Sequence, residues 1–264
     1  LNSEFDLEKN NNNEKDLLIK LEQVSNDTYL KKYNILSPIK STSNLNSKLE
    51  LSGSTEDSFY TASMEVNESL NKIESDRYEY IFPNFSFTKS LNKNFNILGN
   101  LDFTSSGHSK LYNTNVKENI LVNDLEFKSN DKINNKGFVS NIKYLIKNFN
   151  SEAQKSSNYK SDYDSGLMGI ISYESKLPLI NFKEDKSKEI FTPKLVFKYS
   201  PNKTKSMKNS DRLIDVDNVF SLNRLSTSDT VEGGESATIG AEYRKFNKND
   251  LNFFGFDIAT SFRH

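Results

Sequence analysis

The residue types that could do chemistry gather in one polar stretch, DVDNVFSLNRLSTSDTVEGGESATIGAEYRKF, from Asp215 to Phe246. Within it stand Asn223, Arg224, Asp229, Glu232, Gly233 and Gly234. An arginine presents a planar fork of donors that a carboxylate accepts through both oxygens. Asp229 or Glu232 can supply that carboxylate, and in a narrow, poorly hydrated setting such a pair fixes the geometry of a loop. Gly233 and Gly234 let the chain turn sharply where a Cβ would clash, before a strand resumes at Ser236. The chemistry on offer is recognition and shape.

Ingredients for covalent catalysis are thin. The histidines are His108 and His264, and His108 sits in Ser105-Ser106-Gly107-His108-Ser109, which reads as a loop. A hydrolase built on it needs an activated serine and a third orienting group, and no Gly-x-Ser-x-Gly elbow is present. Asp211, Asp215 and Asp217 form an acidic group of the kind hard cations take. Their spacing lacks the glycine and terminal glutamate of an EF-hand loop, so they read as a solvated turn. Glu184 and Asp185 are adjacent and would point to opposite faces of a strand, which is no arrangement for a glycosidase pair. Cysteine is absent, which removes disulfides, thiolate metal sites and a thiol nucleophile from this segment. The expectation is no catalytic residue, no metal and no cofactor.

These 264 residues must still be arranged by something, and composition narrows the choice. The hydrophobic fraction is 34 % and aromatics reach 12 %, carried by Phe and Tyr with no Trp. Disordered chains are poor in aromatic and β-branched residues, and this chain is not. Sparse, regularly spaced apolar residues suit elements with one greasy and one wet face. A formal net charge of −1 provides no basic field for nucleic acid. No apolar run approaches the roughly 18 residues of a membrane-spanning helix.

The dominant period is two. Phe95, Ile97, Gly99, Leu101 and Phe103 form one such row, and Tyr60, Ala62, Met64 and Val66 another. Leu121, Leu125 and Phe127 alternate with Asp124, Glu126 and Lys128; Phe138, Ile142, Tyr144 and Ile146 alternate with Asn141, Lys143 and Lys147. Leu167 to Tyr173 and Phe191 to Tyr199 repeat the pattern. Successive strand side chains point to opposite faces, so each row predicts a strand with one apolar side. Turns are expected at Ser52-Gly53-Ser54, Ser105-Ser106-Gly107, Asn134-Asn135-Lys136-Gly137 and Pro201-Asn202-Lys203. Asn2 to Asn13 reads as a hairpin tip or fraying end. About ten to twelve strands result, with no internal linker to divide residues 1–264.

An all-β antiparallel meander of this kind packs its apolar faces inward in a soluble sandwich or barrel, or outward in a membrane barrel. Pattern alone does not separate inside from outside. The strongly polar interleaved positions favour the membrane version. So do strands reaching the roughly 9–11 residues of a tilted crossing. Aromatics near strand ends add a girdle: Tyr78, Tyr80, Phe82, Tyr112, Tyr144 and Tyr199.

The loop resembles the core motif of the LptD (OstA) family of lipopolysaccharide (LPS)-assembly proteins. The elements that carry the resemblance are Phe220, Asn223, Arg224, Asp229, Val231, Glu232, Gly233 and Gly234, then Ile239, Gly240, Ala241 and Tyr243. Three looser pieces stand in the family's order: Ser25 to Ile35, the proline-marked Tyr80 to Phe87, and Phe191 to Leu195 with its proline. The resemblance implies part of a transmembrane outer-membrane β-barrel in a Gram-negative bacterium, passing LPS to the outer leaflet without covalent chemistry. The partners it implies are LPS, outer-membrane lipid, a plug lipoprotein of the LptE type and the periplasmic Lpt bridge. Both chain ends read as cut within a longer protein, and the family's N-terminal jellyroll and terminal barrel strands are not recognisable here. Alternatives are an outer-membrane porin or channel, a soluble β-sandwich adhesin or carbohydrate-binding module, and an outer-membrane esterase or protease.

Overall fold

A computed structural model describes residues 2–10, 13–32, 43–72, 76–92, 98–184, 186–203, 214–225, 227–249 and 251–263. Alternation is translated directly into strands: β1 (Asn2–Asn10), β2 (Asn13–Lys20), β3 (Asn44–Thr55), β4 (Ser58–Ser69), β5 (Tyr78–Ser90), β6 (Gly99–Tyr112) and β7 (Val116–Ser129). They continue as β8 (Lys132–Ile133), β9 (Val139–Gln154), β10 (Asp164–Lys176), β11 (Leu179–Phe182), β12 (Lys188–Ser200), β13 (Gly234–Phe246) and β14 (Asn252–Arg263). One short helix, α1 (Tyr29–Lys32), follows β2. The pairing order is β1-β2-β3-β4-β5-β6-β7-β9-β10-β12-β13-β14, with β8 on β9 and β11 on β12. Neighbours in the chain are neighbours in the sheet, so the fold is an antiparallel meander of the kind from which barrels are built. The described helix is too short and polar to cross a membrane, which bears on helices alone.

The contacts divide into two compact units, Leu1–Leu91 with Phe103–Asn123 and Asn148–Gly166, and Asn92–Asp102 with Asp124–Lys147 and Leu167–His264. In the second unit, and in part of the first, burial runs opposite to a soluble sandwich. In the second unit Lys147, Ser172, Glu174, Lys198, Ser200 and Thr238 are buried, while Ile146, Ile171, Phe197, Ile239 and Ile258 are exposed on the opposite face. In the first, the β3–β4 hairpin follows suit, with Ser63 buried and the paired Leu49 and Met64 exposed, whereas on β7 and β9 the covered face is largely apolar, with Ile120, Val122, Phe149 and Ala153 buried. An apolar face left bare beside a covered polar face is what lipid as the outer solvent demands. Where that pattern holds, it suits a barrel wall with its apolar side outward.

Some turn expectations fail. Ser52-Gly53-Ser54 lies inside β3 and Ser105-Ser106-Gly107 inside β6. The glycines serve packing there: a Cβ on Gly53 would come within 2.4 Å of the Tyr60 ring, and one on Gly107 within 2.5 Å of the Ile120 carbonyl. His108 therefore stands on a strand and not in a loop. Asn2–Asn10 is a paired strand, with Asn10 opposite Asn13 at the hairpin end. Tyr144 lies within β9 and not near its end, stacked on Phe127 at 4.9 Å. Asn134-Asn135-Lys136-Gly137 does turn, with Gly137 at φ 83° and the Asn134 carboxamide oxygen accepting from the Lys136 and Phe138 amides. Phe95, Ile97, Asp185, Asp211, His264, and the end of the Ser25 to Ile35 piece fall outside the described residues.

Candidate functional site: a clamped loop on the polar face

The connection from β12 to β13 carries the polar motif. From Ile214 its described part makes a tight turn in which the Asp215 carboxylate accepts from the Asp217 and Asn218 amides at 3.0 and 3.1 Å. That bonding makes Asp215 a turn former, and no metal-binding group of His, Cys, Asp or Glu occurs among the described residues. The loop then brings Leu222 and Val231 against Leu145 of β9 and Ile170 of β10, with Met168 alongside. Val231 is completely buried. A small apolar core thus seats a polar loop on a polar sheet face.

Phe220 supplies a second anchor. A Cβ on Gly240 of β13 would lie 2.7 Å from its ring, and the Lys194 ammonium of β12 sits 4.7 Å above that ring. Gly240 is where the sheet must be bare to admit the aromatic, and the cation over its face adds attraction.

Asn223 ties the two arms of the loop. Its carboxamide oxygen accepts from the Leu225 amide at 3.2 Å and the Glu232 amide at 3.1 Å, and its NH2 donates to the Thr230 carbonyl at 3.2 Å. Arg224 is 2 % exposed and donates Nε to Glu232 Oε2 at 2.7 Å and Nη2 to Glu232 Oε1. Its remaining arm, Nη1, donates to Ser261 Oγ of β14 at 2.6 Å, and Ser261 shares a hydrogen bond with the fully buried Thr238 of β13. Lys198 of β12 donates to the Ser221 carbonyl, and Arg263 of β14 donates to the Gly233 carbonyl at 2.9 Å. Burial alone would raise the Glu232 carboxyl. The Arg224 hydrogen bonds and charge, with Lys198 and Arg263, outweigh it and hold the carboxyl below its ordinary value.

Of the two carboxylates the sequence offers, the fork takes Glu232; Asp229 is half-buried elsewhere in the loop. Of the two glycines, Gly234 has the positive φ, 84°, and β13 resumes there, two residues earlier than Ser236. Lys198, Thr238, Ser261 and Arg263 were not legible as partners. Parity puts Lys198 and Thr238 on the polar face, yet no strand pattern says which loop will land on it.

A search of curated proteins returns no match for this chain. The sequence profile of LptD, described as LPS transport system D, matches residues 2–263. A match across nearly the whole chain, on an all-β antiparallel meander, shows that the protein belongs to the LptD family and serves LPS transport and assembly at the outer membrane.

Proposed function

We propose that residues 1–264 form a stretch of barrel wall whose polar face provides a hydrated route for the sugar part of LPS. The loop around Asn223, Arg224, Asp229, Glu232, Gly233 and Gly234 shapes that route. The observation that carries this reading is the buried Arg224–Glu232 pair, fastened to β12, β13 and β14 by Lys198, Thr238, Ser261 and Arg263. A desolvated ion pair is a weak source of stability and a strong source of geometry, because its partners must meet in one arrangement. It holds the loop on the face where an amphipathic lipid's polar part would pass, while the apolar face opposite meets membrane lipid. No covalent step is needed, so the protein acts as a conduit and not as an enzyme. Its place is the outer membrane of a Gram-negative bacterium. Its partners are LPS, a plug lipoprotein of the LptE type within the barrel, and a periplasmic Lpt bridge delivering the lipid.

Conditional depletion of the full-length protein tests the reading. Surface LPS is expected to fall while its precursors build up inside. Unchanged surface LPS with reduced uptake of small solutes would instead make the protein a pore.

A further inference from the structure

The outward face of the first unit carries a second polar network, far less expected than the loop. Its sense is fixed by continuity along the sheet. Ala62, beside the exposed Met64, pairs with Phe85 of β5, and a Cβ on Gly107 of β6 would lie 3.0 Å from that Phe85 ring. Ser105 and Ser109 flank Gly107 on the same face. On β9, Asn148, Asn150 and Glu152 alternate with the buried Phe149, Ser151 and Ala153. These polar side chains therefore point where the apolar face should be.

They are bonded into a chain. Ser105 Oγ donates to Asn123 Oδ1 at 2.8 Å, Asn123 Nδ2 to Asn148 Oδ1 at 3.2 Å, and Asn150 Nδ2 to the same oxygen at 2.7 Å. Asn150 Oδ1 accepts from the Tyr163 hydroxyl at 2.9 Å and from Ser165 Oγ at 2.8 Å. Nearer the strand ends, Ser109 Oγ donates to Asn119 Oδ1 at 2.7 Å, and Asn119 Nδ2 to Glu152 Oε2 at 3.4 Å. Polar groups on a lipid-facing wall are costly and point to function. Beside this network a recess of about 400 Å³ is lined by apolar Pro83, Phe85 and Leu121 and by polar residues that include His108, Asn119, Asn150 and Glu152.

Its position in the membrane follows from the connections. At the recess end, the connections after β2, β4 and β9 run eight residues or more and only the β6–β7 turn 113–115 is short; at the other end, β1 joins β2 and β3 joins β4 across two residues each. Barrels of the outer membrane keep short turns on the periplasmic side and longer loops outside. The recess thus lies toward the outer leaflet. Its chemistry selects within that leaflet: amides, hydroxyls, one carboxylate and the His108 imidazole line it, with no Lys or Arg. A phosphate would meet the Glu152 carboxylate with a single imidazole and no Lys or Arg to offset it, whereas a sugar offers hydroxyls to the amides and hydroxyls and an apolar ring face to Pro83, Phe85 and Leu121.

We infer that this outward recess is a docking site for the sugar portion of a glycolipid in the outer leaflet, recognised by Asn119, Asn150 and Glu152. The inference rests on the reading that this face meets membrane lipid. It is tested on the full-length protein in nanodiscs, with p-benzoylphenylalanine in place of Tyr163. The probes are LPS bearing core sugars, lipid A alone and phosphatidylglycerol, each at equal density. Crosslinking to the sugar-bearing lipid is expected to exceed lipid A at least five-fold, and N119A/N150A should bring the two level. The same photoreactive residue in place of Met64 should capture all three lipids alike. Equal capture of LPS and lipid A at position 163, or preference for phosphatidylglycerol, would overturn the inference. Normal surface LPS after depletion would sink the transport reading and leave this selectivity standing.

Discussion

Two arginines with the same fork do different work in this chain. Arg77, just before β5, donates to both oxygens of Asp27 at 2.9 and 2.6 Å and to Glu68 at 2.7 Å. Arg224 makes the same two-pronged contact with Glu232, with a third bond to Ser261. The contacts are alike and the surroundings are not. The Arg77 and Asp27 side chains are 18 % and 46 % exposed, whereas those of Arg224 and Glu232 are 2 % and 7 % exposed. Water competes for the first pair and screens it, so losing it costs little. The second has no water to fall back on, so breaking it strands a charge in a dry place. Geometry alone would rank these sites as equals; burial separates them.

The largest effect should come from breaking the buried pair on one side. Arg224→Ala or Glu232→Ala should each cost about 3–5 kcal/mol, read as a fall in the unfolding midpoint of the full-length protein in detergent. Replacing both with apolar residues of similar volume should recover much of that loss. If the single variants unfold like the parent, the pair is not desolvated and the contrast with Arg77 collapses. Next comes Gly240→Ala, which presses a methyl against the Phe220 ring and the Ile258 carbonyl. Overpacking of this sort costs about 1–3 kcal/mol and should expose 214–234 to protease before the strands are cut. Simultaneous cutting of loop and strands would show that the loop has no separate seat.

Acid sharpens the comparison. The Glu232 carboxyl is held below its ordinary value of 4.5, so the stability it contributes is complete above that value and is lost as pH falls through the lowered one. Loop protection from protease should therefore fade below about pH 4.5 in the parent, and Glu232→Gln should flatten that dependence. Smallest of all, Arg77→Ala should lower the unfolding midpoint least, and added salt should shrink the difference from the parent further. A loss as large as that of Arg224→Ala would mean that exposure is a poor guide to ion-pair worth here.

Much of the architecture was written in the alternation. Phe191, Leu195, Phe197 and Tyr199 share the bare face of β12 as their spacing requires, and Lys198 turns the other way. What alternation could not give was which face is covered, because a strand's pattern is symmetric between core and lipid. Glycines misled for a related reason. Gly53 and Gly107 look like turns in isolation, yet each is bare so that a neighbouring strand's group can approach. At the loop, the residue types announced an arginine–carboxylate pair. The choice of Glu232 over Asp229 depended on Asn223 gathering the Leu225, Thr230 and Glu232 backbones. The partners on β14, Ser261 and Arg263, are 37 and 30 residues beyond the groups they bond, past the reach of local spacing.

The central claim is that the buried clamp holds a loop needed for LPS delivery, and complementation measures it most directly. Cells depleted of the parent would receive full-length Arg224→Ala or Arg77→Ala protein, matched for the amount inserted in the outer membrane. Surface LPS should fall at least ten-fold with Arg224→Ala and stay near the parental level with Arg77→Ala. Parental surface LPS with inserted Arg224→Ala protein would contradict the claim and leave the clamp as a structural fastening alone.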